Sequence, residues 1–97
     1  MTVYVVTQVK ITNAEVYARY TSKFMDIFKQ YNGSLLVNDE SPRVLEGEWD
    51  LSKVVVISFP DKDSFTAWAT SPEYQEIMQD RLAGGEATIL LTQGFDG

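Results

Sequence analysis

The chain has no cysteine and no histidine among its 97 residues. The first absence excludes disulfide frameworks, thiolate metal sites and thiol nucleophiles, and it suits a reducing cytoplasm. The second removes the commonest general base and the commonest zinc ligand, so any catalysis would fall to carboxylates, Tyr, Lys, Arg, Ser, Thr or the backbone. Cations are scarce as well: 8 Lys and Arg stand against 14 Asp and Glu, for a net charge of -6. Because those few cations are scattered along the chain, no stripe exists that could displace counterions, and a nucleic-acid partner is not expected. No apolar run is long enough to span a bilayer, so no membrane partner is expected either. The opening Met1-Thr2-Val3-Tyr4-Val5-Val6 lacks a basic leader and runs into Thr7, Gln8 and Lys10. It reads as a strand rather than a signal peptide, and a cytoplasmic protein is expected. Nothing calls for a cofactor or a metal: Gly84-Gly85 reads as a turn, and there is no phosphate-binding loop.

What the chain does have is a central strand, Val54-Val55-Val56-Ile57-Ser58-Phe59, that is apolar on both faces. Strand side chains alternate between faces, so apolar residues at nearly every position imply cover from both sides. Val3 to Ile11 is a first strand, rich in β-branched residues, with Val3, Val5, Val9 and Ile11 on one face and Tyr4 and Val6 on the other. Val16, Tyr20, Phe24, Ile27, Phe28 and Tyr31 then recur at helical spacing, with Asn13 as N-cap and Gly33 as the stop. A second strand follows over 34–38. Residues 39–42 form a turn, and 43–48 look extended, either as a continuation of the second strand or as a small hairpin. After Pro60, Asp61 caps a helix that buries Phe65, Trp68 and Ala69. Ser71-Pro72-Glu73 restarts it with Tyr74, Ile77, Met78 and Leu82 inward, so the second helix is bent or split. A last strand covers 86–93.

The order β-α-β-β-α-β predicts a single α+β domain over residues 1–97: a ferredoxin-like antiparallel sheet with two helices on one face. That leaves the other face open. An exposed apolar sheet exceeds what monomers usually tolerate, and covering roughly 500 Å² on each of two copies would contribute on the order of 25 kcal/mol before association costs. A homodimer packed through the open sheet face is therefore expected.

Several segments resemble the DUF1330 family of the dimeric α+β barrel superfamily: Tyr17-Ala18-Arg19-Tyr20, Val44-Leu45-Glu46-Gly47-Glu48-Trp49, Val54 through Pro60, and Ser71-Pro72-Glu73-Tyr74-Gln75 with Arg81 following. The resemblance implies a homodimer whose two sheets close into a barrel, with a small cavity between each sheet and its helices. It implies no established activity, although some members of the wider superfamily are cofactor-independent isomerases, oxygenases or decarboxylases. This chain departs from the family pattern at Asn32-Gly33, Asn38-Asp39 and Gln93-Gly94, so a basic contact and a carboxylate role there do not carry over.

Six residues are the candidates for a site. Arg43 and Arg81 could hold an anionic group, because a guanidinium offers a planar fork that matches a carboxylate; Arg81 could equally pair with Glu73 or Glu76 across its helix, or bridge the dimer. Trp49 could wall a pocket and stack on a ligand, or pack at the dimer rim. Glu46 could transfer a proton, or be a solvated charge. Tyr17 and Tyr20 begin the first helix, and Tyr20 lies on its apolar stripe with a hydroxyl able to reach a pocket. Three functions follow: a small-molecule binding protein, a cofactor-independent enzyme acting on a small polar or aromatic metabolite through Glu46 or Tyr20, or a purely structural dimer.

Overall fold

Alternation decides which side of each strand meets the helices. In a computed structural model that describes residues 1–50 and 52–95, β1 (Val3–Ile11) buries Val3, Val5 and Val9 on one face. It pairs antiparallel with β3 (Lys53–Phe59), in the register Val5↔Ile57 and Val9↔Lys53, so Lys53, Val55, Ile57 and Phe59 share that face. On β1's other side lies β4 (Gly85–Gln93), and β2 (Ser34–Asp39) completes the antiparallel sheet in the order β2-β3-β1-β4. The register of β2 against β3 shifts between Leu35 and Val37, a bulge that sets both Leu35 and Asn38 opposite helix-facing residues, Ile57 and Val55.

Three helices cover that face. α1 (Ala14–Phe28) starts where Asn13 Oδ1 accepts the backbone N–H of Val16 at 3.2 Å, as its cap pattern predicts. The helix ends at Phe28, before the expected stop at Gly33. Gly33 serves another purpose: a Cβ there would fall 2.4 Å from the Phe28 ring and 2.9 Å from the Phe59 ring, which sit against its backbone. α2 (Lys62–Ala69) is capped by Asp61 and α3 (Pro72–Gly84) by Ser71, so the second helix is split in two. α3 turns Tyr74, Ile77, Arg81 and Gly84 inward, while Leu82 is 57 % exposed, contrary to the inward placement expected of it. Successive helical residues differ by about 100°, and a stripe running through Arg81 carries Leu82 out to solvent.

The core is an aromatic cluster on this face: Phe24 stacks on Phe28 at 5.1 Å, and Phe28, Phe59 and Trp68 meet at 5.6–5.8 Å. Among the described residues no helix lies on the opposite face, where Val6, Val54 and Val56 stay half-buried and Leu90 is 58 % exposed. Among the described residues, no helix is long and apolar enough to cross a membrane.

Candidate functional site

Between the sheet and the helices lies a cavity of about 310 Å³, open to one side and walled mainly by apolar groups. Its placement follows from two local devices. At the α2–α3 break, Ser71 Oγ accepts the Tyr74 backbone N–H at 3.2 Å and donates to the Trp68 carbonyl at 2.8 Å, while Gln75 Nε2 donates to the Ala69 carbonyl at 2.7 Å. The break therefore holds Trp68 and Tyr74 together, with ring centroids 4.1 Å apart. At the other end, the Gly84 carbonyl accepts the N–H groups of Thr12 and Asn13, each at 3.0 Å, and pins the start of α1 to the end of α3. A Cβ at Gly84 would stand 2.6 Å from the Tyr17 backbone nitrogen, so only glycine lets the helices close to this distance and brings Tyr17 and Arg81 to one wall.

Polar groups inside the cavity are few. The Tyr20 and Tyr74 hydroxyls hydrogen-bond each other at 3.0 Å in a buried setting. Burial, reinforced by the Tyr74 hydroxyl, pushes the Tyr20 phenol far above its ordinary range, so Tyr20 stays protonated and offers a hydrogen bond rather than a base. Burial also raises Tyr17, against the opposing pull of the Arg81 guanidinium. Lys53 extends over the Tyr17 ring, with Nζ 5.5 Å from its centroid, a cation–π arrangement. Burial lowers the Lys53 pKa, partly offset by the charge of Glu40. Lys53 is 5 % exposed and Arg81 9 %, and among the described residues neither side chain has a hydrogen-bond or ion-pair partner. The buried Nε of Arg81 and Nε1 of Trp68 both lack a protein acceptor. Among the described residues, no group of His, Cys, Asp and Glu is placed to hold a metal.

Of the six sequence candidates, Tyr17, Tyr20 and Arg81 line this cavity. Arg43, Glu46 and Trp49 do not: they lie on the exposed segment between β2 and β3, with Trp49 37 % exposed. The extended stretch expected over 43–48 joins no strand: β2 ends at Asp39, paired with Val54, Asp39 Oδ1 accepts the Ser41 N–H, and the chain turns away without pairing on the outer edge of β2. The ion pair of Arg81 with Glu73 or Glu76 also does not form; the only ion pairs among the described residues are Lys10–Asp50 and Lys29–Asp26. Sequence reasoning missed Lys53, Trp68 and Tyr74 as site residues. For Lys53 a signal was present: it has the same parity as Val55, Ile57 and Phe59, which places a lysine on the buried face of the central strand.

A family model described as a domain of unknown function, DUF1330, matches residues 2–95. The chain belongs to the DUF1330 family. No curated protein matches this DUF1330 chain. Among solved structures, a protein of unknown function from Rhodopseudomonas palustris superposes with a TM-score of 0.84 at 17 % identity, covering 99 % of this chain and 84 % of the other. A dimeric ferredoxin-like protein of unknown function from Jannaschia sp. CCS1 gives 0.77 at 12 % identity, over 97 % of this chain and 100 % of the other. SnoaB, a cofactor-independent oxygenase from Streptomyces nogalater, gives 0.72 at 16 % identity, over 99 % and 95 %. Identities this low carry the fold alone, and the DUF1330 chain has the ferredoxin-like α+β architecture expected of it.

Proposed function

We propose that this DUF1330 protein binds a small organic molecule in the cavity between its sheet and helices, and does so as a homodimer packed through the open sheet face. The observation that carries the first part is the cavity itself: about 310 Å³, apolar-walled, with few polar residues in its lining, Tyr20, Tyr74, Lys53 and Arg81 among them. Tyr17, Tyr20 and Arg81 are the ligand contacts in this reading. Arg43, Glu46 and Trp49 take no part in it. The dimer rests on the uncovered Val6, Val54, Val56 and Leu90, and on the dimeric description of the Jannaschia protein.

A ligand that binds only the folded chain raises its stability by mass action, about 2.7 kcal/mol at a hundredfold excess over Kd. A thermal-shift screen of organic acids, aromatics and quinones should therefore raise the melting temperature for at least one class. Flat melting curves across the whole set would contradict the reading.

A second reading, a cofactor-independent enzyme, is favoured by the hydrogen-bonded Tyr20–Tyr74 pair inside the cavity and by the likeness to SnoaB. In it Tyr20 donates a hydrogen bond to the reacting group, and Tyr20→Phe abolishes turnover while leaving affinity intact.

A further inference from the structure

Eight basic side chains serve the whole protein, and two of them, Lys53 and Arg81, line one largely apolar cavity. This is a costly place for cations, because a charge withdrawn from water needs a partner of opposite sign or a full set of acceptors. The cavity supplies no carboxylate: no Asp or Glu is among the described lining residues, neither side chain makes an ion pair there, and Lys53 is offset only by the Tyr17 ring and the charge of Glu40. The contrast with the rest of the molecule is sharp, since 14 carboxylates are available in a chain of net charge -6. One further donor group belongs with the two cations. Trp68 Nε1, like the Nε of Arg81, is buried without a protein acceptor, and both residues line the same cavity. Donors of several kinds gathered without one fixed acceptor match a ligand that brings acceptor oxygens and negative charge with it.

The rest of the wall sets the ligand's body. Tyr17, Tyr20, Phe24, Phe65 and Tyr74 present ring faces and edges to the space. A dry apolar cavity of about 150 Å³ accommodates benzene, so 310 Å³ has room for two fused rings. Building on the small-molecule reading above, we propose that the ligand is an organic anion, a carboxylate carried on an aromatic body of one or two rings, held at its charged end by Arg81 and Lys53 and stacked along the tyrosine and tryptophan walls. Arg81 supplies the planar fork. Lys53 adds a point charge from the sheet side.

The test is a matched pair, 1-naphthoate and its neutral near-isostere 1-naphthamide, titrated by calorimetry into the full-length protein. The naphthoate should bind at least tenfold tighter than the amide. Lys53→Met and Arg81→Gln should each weaken naphthoate at least tenfold and leave the amide's affinity unchanged. Lys53→Met is the variant expected to fold without difficulty, since methionine keeps the length of the stem; circular dichroism and melting temperature establish folding for both. Equal affinity for the two ligands, or variants that weaken both alike, overturns the anion assignment and leaves the cavity reading standing. If neither ligand binds, this inference falls; if the wider screen is also flat, the cavity reading falls with it.

Discussion

Lys53 shows how much one position can carry. It begins the buried face of the central strand at 5 % exposure, where its ammonium lies over the Tyr17 ring and has no hydrogen-bond or ion-pair partner among the described residues. Stability alone does not favour a group held this way, because burial works against its charged form and only the Tyr17 ring face and the charge of Glu40 offset it. Lys53→Met should therefore leave the ligand-free protein as stable or more stable, by up to about 1 kcal/mol, while weakening an anionic ligand. The pH dependence has a defined sign. Burial lowers the Lys53 pKa below its ordinary value of 10.5, so between the folded and unfolded values the unfolded chain holds the extra proton. The wild type should gain stability relative to Lys53→Met as pH rises through that window, and show no differential slope below it. Chemical denaturation of both proteins across the alkaline range checks this. Greater loss of stability in the variant at neutral pH would mean the lysine is a structural member of the core. The parity of Lys53 was legible in the sequence, whereas the absence of a carboxylate near it was not, because that depends on which elements fold over the strand.

At the scale of elements, most of the order was legible and the failures have identifiable causes. Capping residues announced themselves: Asn13, Asp61 and Ser71 each accept the N–H three residues on, as their types predict. The segment over 43–48 misled because Val44 and Leu45 look strand-like, yet they are 46 % and 88 % exposed and pair with no strand, leaving the outer edge of β2 unpaired. Leu82 misled for a related reason, since two phases of an apolar stripe fit α3 and the true one runs through a charged residue, Arg81. Gly84 carried information that composition alone cannot give. Its hydrogens face the Tyr17 backbone, so a methyl group there forces α1 from α3. Gly84→Ala should cost about 2–3 kcal/mol in denaturant unfolding and, by moving Tyr17 away from Arg81, should weaken any ligand of the cavity. A fully stable Gly84→Ala protein would show that the two helices are not held at the observed distance.

For the molecule as a whole, the two sheet faces tell different stories. One is closed over an aromatic core, and the other leaves Val6, Val54 and Val56 half-buried and Leu90 exposed, with no helix over them among the described residues. The apolar character of both faces was readable from the central strand, and it led directly to the expectation of a second copy. Sedimentation equilibrium at micromolar concentration should give twice the mass of the 11.0 kDa chain. A well-folded monomer at that concentration would remove the dimer. The candidate site was legible only in part: Tyr20 lies on the apolar stripe of α1, and Tyr17 and Arg81 stand out by residue type, whereas the choice between two tryptophans required the fold.

Those two tryptophans give the most direct measurement of the central claim, that the cavity between sheet and helices is where a small molecule binds. Trp68 lines the cavity with its indole N–H unpartnered, and Trp49 sits on an exposed segment outside it. In a ¹H–¹⁵N correlation spectrum each indole N–H gives its own signal, assignable by Trp49→Phe. Titration with 1-naphthoate should move the Trp68 indole and the Arg81 Nε–H signals and leave Trp49 in place. Movement of Trp49 with Trp68 and Arg81 unmoved would contradict the account and relocate the site to the segment between β2 and β3.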